Sequence, residues 1–167
     1  EVSFGGYAKS SCRYDAAGNL VEQSYFGTDG NLCLYKQYFR YKDFWTESES
    51  GYAIVRHAYD SKNNLIKTAY FGTDGKPCRH FEYTAGIDVV LCSSGYAEVR
   101  YEYDSHGNKT GESYYDVNGE PYPCFFQRDE LDSAKTYSGY VKVVYAYDKR
   151  GILTNESYYD AEGKRLF

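Results

Sequence analysis

The strongest constraint on the fold is an internal repeat that runs along the whole 167-residue chain. A Gly-Tyr dipeptide recurs at intervals of 44 or 45 residues, and a Tyr-Asp pair and then an aromatic pair follow it in fixed register each time. Self-similarity at such a period is typical of repeat architectures, so each copy is predicted to be one structural unit. The four copies begin at Gly6, Gly51, Gly95 and Gly139.

Each copy is predicted to contain short strands joined by tight turns. From Ala97 to Tyr103, apolar or aromatic residues alternate with polar ones, which is the period-two pattern of a strand with one drier face. Asp-x-x-Gly follows at residues 104–107, where Asp suits the first position of a type I turn and Gly adopts positive φ. Asn63 takes the place of that glycine in the second copy. We therefore expect strand, turn, strand, turn, strand and then a variable connector in every copy.

A unit of this size buries too little apolar surface to be stable alone, so neighbouring copies are expected to cover one another. The predicted fold is all-β, with four tandem β-hairpin repeats of about 44 residues stacked in an elongated array. A closed ring of four blades has the right count, but the fourth copy ends where its third strand would begin, which favours the open stack. The predicted units are residues 1–50 with an aromatic connector, 51–94, 95–138 and a truncated 139–167, which together form one repeat domain.

The composition of the chain argues against two classes of partner, nucleic acids and membranes. Aromatic residues make up 19% of the chain, and such a content is typical of folded rather than disordered chains. No apolar stretch approaches the roughly 20 residues that a membrane span needs. The net charge is -5, and no block of Lys or Arg offers a footprint for a phosphate backbone. We therefore expect neither a nucleic-acid partner nor insertion into a membrane.

Cysteine and histidine residues do not predict a cofactor or a catalytic centre. Three of the five cysteines are assigned to one repeated position, with Cys33 and Cys78 lying 27 residues after the glycine of their copies and Cys124 displaced by two. Leu166 takes that position in the fourth copy, so the simplest interpretation is a buried apolar site. Cys78 and His80 have the elements of a metal pair, but the further ligands of a zinc site are missing. The sequence also lacks a nucleophile elbow, a phosphate loop and a zinc-protease helix. The chain is predicted to be no enzyme and to hold no metal or cofactor.

The first connector is the strongest candidate for a binding site. Residues 34–45 contain the only Trp and five other aromatic residues, interleaved with Lys and Arg. Tyr, Trp and Arg dominate protein-binding hot spots, although aromatic residues in repeat proteins also pack between units. The spacing fits one face of a helix as well as one face of a strand. The predicted ligand-binding residues are Tyr35, Tyr38, Arg40, Tyr41, Phe44 and Trp45 in this connector, Tyr83 in the second and Tyr137 in the third.

Three stretches of the chain resemble a known class of repeat. Residues 51–60 and 70–78 of the second copy and 95–108 of the third are similar to tyrosine-rich YD-type repeats, distantly related to RHS repeats, of large secreted or cell-surface proteins of gut Firmicutes. The resemblance implies a segment of a larger bacterial protein that is secreted or displayed at the cell surface, and some such proteins bind host immunoglobulin. Two features depart from the pattern, because the connectors are long and aromatic and Ile152 replaces the Asn after the turn glycine.

These observations predict a non-catalytic binding module of a bacterial secreted or cell-surface repeat protein. Its expected partner is a host protein, with immunoglobulin as the class that the resemblance suggests, recognised through tyrosine-rich surfaces. The alternative is a carbohydrate- or cell-wall-binding module, because Tyr and Trp rings stack on sugars and the Tyr-Tyr-Asp-x-x-Gly turns resemble choline- and glucan-binding repeats. Those repeats use regularly placed Trp, and this chain has one. A structural spacer without a ligand is the third possibility.

Overall fold

The computed structural model describes residues 6–35, 38–41, 44–47, 51–80, 83–84, 90–91, 95–124 and 139–166. Within these ranges the chain is all-β, as predicted, with eight antiparallel strands in one sheet and two separate two-stranded hairpins. The described residues include no helix long and apolar enough to cross a membrane. The strands in chain order are β1 Lys9–Tyr14, β2 Leu20–Phe26, β3 Tyr38–Tyr41, β4 Phe44–Glu47, β5 Ile54–Tyr59, β6 Leu65–Phe71, β7 Tyr83–Thr84, β8 Val90–Leu91, β9 Glu98–Tyr103, β10 Lys109–Tyr115, β11 Lys142–Tyr147 and β12 Leu153–Tyr159.

The eight-stranded sheet consists of four hairpins that follow one another in chain order. Hairpin 1 is β1–β2, hairpin 2 is β5–β6, hairpin 3 is β9–β10 and hairpin 4 is β11–β12. The second strand of each hairpin pairs with the first strand of the next, and the register is the same at all three junctions. A shared register places equivalent side chains of each copy on the same face of the sheet. The pairs that show it are Glu22 with Arg56, Lys67 with Arg100 and Gly111 with Val144.

The turn between the two strands of each hairpin has the predicted conformation. The Gly18 N–H donates to the Asp15 carbonyl at 3.1 Å, and Gly18 has a φ of 88°. The Asp15 carboxylate accepts a further bond from the Asn19 N–H at 2.9 Å, which fixes the start of the second strand. Gly107 has a φ of 87°, and Asn63 adopts the same left-handed region with a φ of 64°. The prediction of tight turns closed by a positive-φ residue is confirmed.

The third strand predicted for each copy is much shorter than expected. Leu32 forms a single bridge to Phe26, and Tyr35 already bridges to Tyr52 at the start of the next copy. Between them, the Cys33 N–H donates to the Tyr25 carbonyl at 2.9 Å. Because the chain changes its bonding partner within three residues, this segment cannot extend along either hairpin. It forms a crossing link between consecutive hairpins, so the prediction of a third full strand was wrong.

Tyrosine rings form the core on one face of the sheet. Two tyrosines from each copy meet those of the neighbouring copies, with centroid separations of 4.9 to 6.0 Å. These separations lie in the range of favourable edge and tilted aromatic contacts. Buried valines from the first strands lie in the same cluster. The tyrosine row consists of Tyr7, Tyr25, Tyr52, Tyr70, Tyr96, Tyr114, Tyr140 and Tyr158.

Candidate functional site

Tyr35, the first of the predicted binding residues, packs against the tyrosine row. Its ring stacks on that of Tyr25 at a centroid distance of 4.7 Å and an interplanar angle of 17°, and it lies 5.5 Å from Tyr52. Its backbone N–H donates to the Tyr52 carbonyl at 2.7 Å. Tyr35 therefore links the first two hairpins, and a role in ligand binding stays a prediction for it.

The other predicted residues of the first connector lie on a β-hairpin, β3–β4, outside the eight-stranded sheet. Of the two local structures that the spacing allowed, the strand is the one that forms here. Directly opposite positions of an antiparallel pair are about 5 Å apart, so the hairpin brings cationic and aromatic positions together. The opposing pairs are Tyr38 with Glu47, Arg40 with Trp45 and Tyr41 with Phe44.

The remaining two predicted residues belong to the later connectors. Tyr83 lies on β7, opposite Leu91 on β8, and is thus on a second small hairpin outside the main sheet. Tyr137 lies outside the described residues. The structure does not bring Tyr83 into one strand pair with the residues of β3–β4.

Arginine side chains stack on aromatic rings on the face of the sheet opposite the tyrosine row. The Cζ atom of Arg56 lies 4.4 Å from the ring centroid of Phe71, and that of Arg100 lies 4.0 Å from the ring of Tyr115. Both arginines lie five residues after the Gly-Tyr glycine, and both rings lie twenty residues after it. We call these two places the stacking position and the ring position. Contacts of this kind stabilise by roughly 0.5–1 kcal/mol at exposed sites.

A carboxylate holds each of these arginines in place. The Arg56 Nε donates to Glu22 Oε2 at 2.7 Å, and the Arg100 Nε donates to Glu98 Oε1 at 2.6 Å. The bond from Arg56 lowers the pKa of Glu22, and the bond to Glu98 raises the pKa of Arg100. Each bond therefore favours the charged form of the group whose pKa it shifts, Glu22 in the first pair and Arg100 in the second.

The third junction departs from this pattern and opens a groove. Val144 stands at the stacking position, so the arginine that stacks on the ring position at the other two junctions is replaced here. A groove of about 330 Å³ lies at this place, between the aromatic rings of hairpins 3 and 4. This groove was not predicted from the sequence, although the change from Arg56 and Arg100 to Val144 at one repeat position indicates it. The junction groove is lined chiefly by Tyr115, Pro121, Val141, Val144, Tyr159 and Asp160.

A second, more polar cleft of about 480 Å³ lies at the turns of hairpins 3 and 4. Its carboxylates already serve the turns themselves. Asp104 accepts from the N–H groups of His106 and Asn108, at 2.8 and 2.9 Å. These bonds, together with the one from the Asn108 side chain, lower the pKa of Asp104. Turn formation accounts for the acidic residues of this cleft.

The described cysteines are free thiols and differ in burial. Cys124 is fully buried, Cys33 and Cys78 are half-buried, and Cys12 is exposed. The buried apolar environment predicted for Cys124 is confirmed, but the repeat position assigned to it was wrong. Its N–H donates to the carbonyl of Tyr140, as that of Tyr35 does to Tyr52, so Cys124 is the counterpart of Tyr35. Burial raises the pKa of Cys78 to about 11, which keeps this thiol protonated and poorly nucleophilic.

His80 stands at the same crossing position as Tyr35 and Cys124. His80 is 3% exposed, and its ring lies 4.2 Å from the ring of Tyr70 and 5.0 Å from that of Tyr52. Burial lowers the pKa of His80 to about 4, so the ring is neutral at pH 7. Among the described residues its Nδ1 has no hydrogen-bond partner, and no three His, Cys, Asp or Glu side chains converge as metal ligands.

No protein-family model matches the chain, and no curated protein matches it either. The resemblance to YD-type repeats therefore rests on the sequence motifs alone. The candidate sites for function are hairpin β3–β4 and the junction groove, and at both of them residues depart from the repeated pattern.

Proposed function

We propose that this chain is a non-catalytic binding module of a bacterial secreted or cell-surface repeat protein, and that it recognises a host protein. Immunoglobulin is the partner class that the YD-type resemblance suggests. One observation carries the proposal: the aromatic residues divide into two groups. The recurring tyrosines pack in the core of the sheet, whereas Tyr41, Phe44 and Trp45 lie on a hairpin outside the eight-stranded sheet.

The same proposal includes the architecture of the module. We propose that the four hairpins are tandem repeats of about 44 residues in an elongated array. The support is the identical register at the three junctions, together with hydrogen bonds that recur between copies. The Tyr59 hydroxyl donates to the Leu20 carbonyl at 3.1 Å, and the Tyr147 hydroxyl donates to the Lys109 carbonyl at 2.7 Å.

Hairpin β3–β4 has the composition of a binding hot spot. Arg40 lies directly opposite Trp45, and Tyr41 lies directly opposite Phe44. Trp, Tyr and Arg give large contact areas at small entropic cost, and a strand pair fixes their backbone positions before the partner arrives. A short hairpin held at both ends by a regular sheet therefore suits recognition of a protein surface.

The test is to replace Tyr41, Phe44 and Trp45 together with Ala. Binding is measured by biolayer interferometry against purified human IgA, IgG and IgM and against their Fab and Fc fragments. If hairpin β3–β4 is the hot spot, the dissociation constant for the captured fragment rises at least about tenfold. Circular dichroism and the melting temperature report whether the sheet is retained.

A matched control removes exposed side chains elsewhere. Tyr14 is 59% exposed and lies beside the turn of hairpin 1. Ile152 and Leu153 are 51% and 44% exposed and lie beside the turn of hairpin 4. The joint replacement of all three with Ala is expected to leave the affinity unchanged. An equal loss in both triple variants, or full binding by the hairpin variant, contradicts the proposed site. Retention of sugars alone on a glycan array, with no immunoglobulin bound, favours the carbohydrate-binding alternative.

A further inference from the structure

We propose that the junction groove binds the guanidinium group of an arginine side chain presented by a partner protein. This site is separate from hairpin β3–β4, and the inference does not depend on the function proposed for that hairpin. It rests on what occupies the equivalent place at the other two junctions.

At those junctions the chain supplies its own arginine. Arg56 and Arg100 project from the stacking position over the rings of Phe71 and Tyr115, at 4.4 and 4.0 Å. Because the register is the same at the third junction, Val144 starts from the equivalent backbone site. Valine is too short to cover Tyr159, and the groove of about 330 Å³ lies at this place. The third junction therefore keeps an aromatic ring at the ring position but has no arginine at the stacking position.

The third junction also has a carboxylate close to the stacking position that Val144 occupies. Gly111 stands opposite Val144, in the repeat position that Glu22 occupies opposite Arg56. A Cβ atom on Gly111 would lie only 3.1 Å from Glu102 Oε2, so the Glu102 carboxylate covers this glycine. Glu102 thus replaces Glu22 as the acid beside the stacking position.

The charges around the groove favour a cation, although one ammonium group is present. Lys142 lines the groove, and its Nζ donates to Glu102 Oε1 at 2.8 Å. Glu102 neutralises this ammonium, which leaves the Asp160 carboxylate as the remaining charge among the residues that line the groove. Arginine fits the site better than lysine, because its planar guanidinium can stack on the ring of Tyr159 while it bonds to a carboxylate oxygen.

The probe is the peptide acetyl-Gly-Arg-Gly-amide, titrated into the protein with the tyrosine rings labelled for NMR. We expect saturable shifts of the Tyr159 and Tyr115 ring signals. The citrulline peptide has the same shape without the charge and should bind about fivefold more weakly. Equal affinity for the two peptides, or shifts confined to other tyrosines, overturns the proposal.

Two variants of the protein decide the location. Val144→Arg restores the residue type of the other junctions, so its side chain should fill the groove and abolish the titration. Ile152→Arg adds the same charge at an exposed turn and should bind the peptide as the parent protein does. Unchanged binding by Val144→Arg contradicts the proposal. If that variant does not fold, Tyr159→Leu is the second test, because loss of the ring should remove binding and retention of binding contradicts the proposal.

Discussion

At the scale of single residues, His80 makes stability depend on pH. The pKa of His80 is about 4 in the folded protein because of burial, whereas an unfolded histidine has a pKa of about 6.5. Between these values the unfolded chain binds a proton that the folded chain does not, so the free energy of unfolding falls as the pH drops from about 6.5 to 4. The expected loss is about 3 kcal/mol, measured by urea unfolding at pH 7, 5.5 and 4.

The control for His80 is the residue that the first copy uses at the same position. His80→Tyr places there the side chain of Tyr35, which packs on the tyrosine row without a titrating group in this pH range. Turn carboxylates such as Asp104 have lowered pKa values and add a loss of stability below about pH 4, but they are present in both proteins. Burial also lowers the pKa of His57, which is present in both proteins, so the parent protein should lose more stability between pH 6.5 and 4 than His80→Tyr does. Parallel pH profiles would show that His80 titrates normally.

His80 also shows what the sequence could not predict about single residues. Its spacing from Cys78 has the elements of a metal pair, but the structure uses His80 as a core ring between Tyr52 and Tyr70. The position is buried because the chain crosses there from one hairpin to the next. Such a short crossing segment has no hydrophobic periodicity from which its burial could be predicted. Only comparison with Tyr35 and Cys124, after the bridges are known, reveals the shared position.

At the scale of elements, the turns were predictable because their chemistry is local. Asp at the first position and Gly at the fourth specify the turn without help from tertiary contacts. The crossing segment was not predictable, because Tyr35 pairs with a residue of the next copy. Hairpin β3–β4 was not predictable either, because the aromatic spacing of residues 34–45 fits a helix and a strand equally well. Their conformation depends on which hairpins lie next to each other.

The turns provide a test at the same scale, in which Gly107 is changed to Ala. Gly107 has a φ of 87°, and a Cβ atom there would meet nothing closer than an Asn64 oxygen at 3.9 Å. The expected cost is therefore conformational and amounts to about 1–2 kcal/mol, measured by urea unfolding at pH 7. Ser105→Ala, in the same exposed turn, should change stability by less than about 0.5 kcal/mol. A Gly107→Ala variant as stable as the parent would contradict the need for positive φ.

At the scale of the whole molecule, both candidate sites lie at positions where one copy of the repeat differs from the others. The repeated positions form the sheet and its tyrosine row. They also place equivalent residues of each copy at equivalent positions of the sheet. Function can then be sought at positions where one copy departs from the others. Trp45 was recognised in this way from the sequence, because nothing in the other copies matches it. Val144 was not recognised from the sequence. Its importance follows only from the structure, which shows that the arginines at the same repeat position stack on aromatic rings.

The proposed array makes a prediction about how stability is distributed over the molecule. Each hairpin of the main sheet pairs only with its neighbours in the strand order, so a local defect should stay local, as in a one-dimensional repeat protein. Val143 is 2% exposed, and Val143→Ala removes two methyl groups from the core of hairpin 4, at a cost of about 2 kcal/mol. Native-state hydrogen exchange should then show faster exchange in hairpins 3 and 4 and unchanged exchange in hairpin 1.

The matched control for this experiment is at the opposite end of the sheet. Ser10 holds the same repeat position as Val143, but it is exposed and outside the core cluster. Ser10→Ala is expected to leave exchange unchanged in all four hairpins. If Val143→Ala instead speeds exchange equally in hairpins 1 to 4, the sheet opens as one cooperative unit. The four copies would then be a single domain built from repeated sequence, and separate hairpins could not be treated as energetic units of an array.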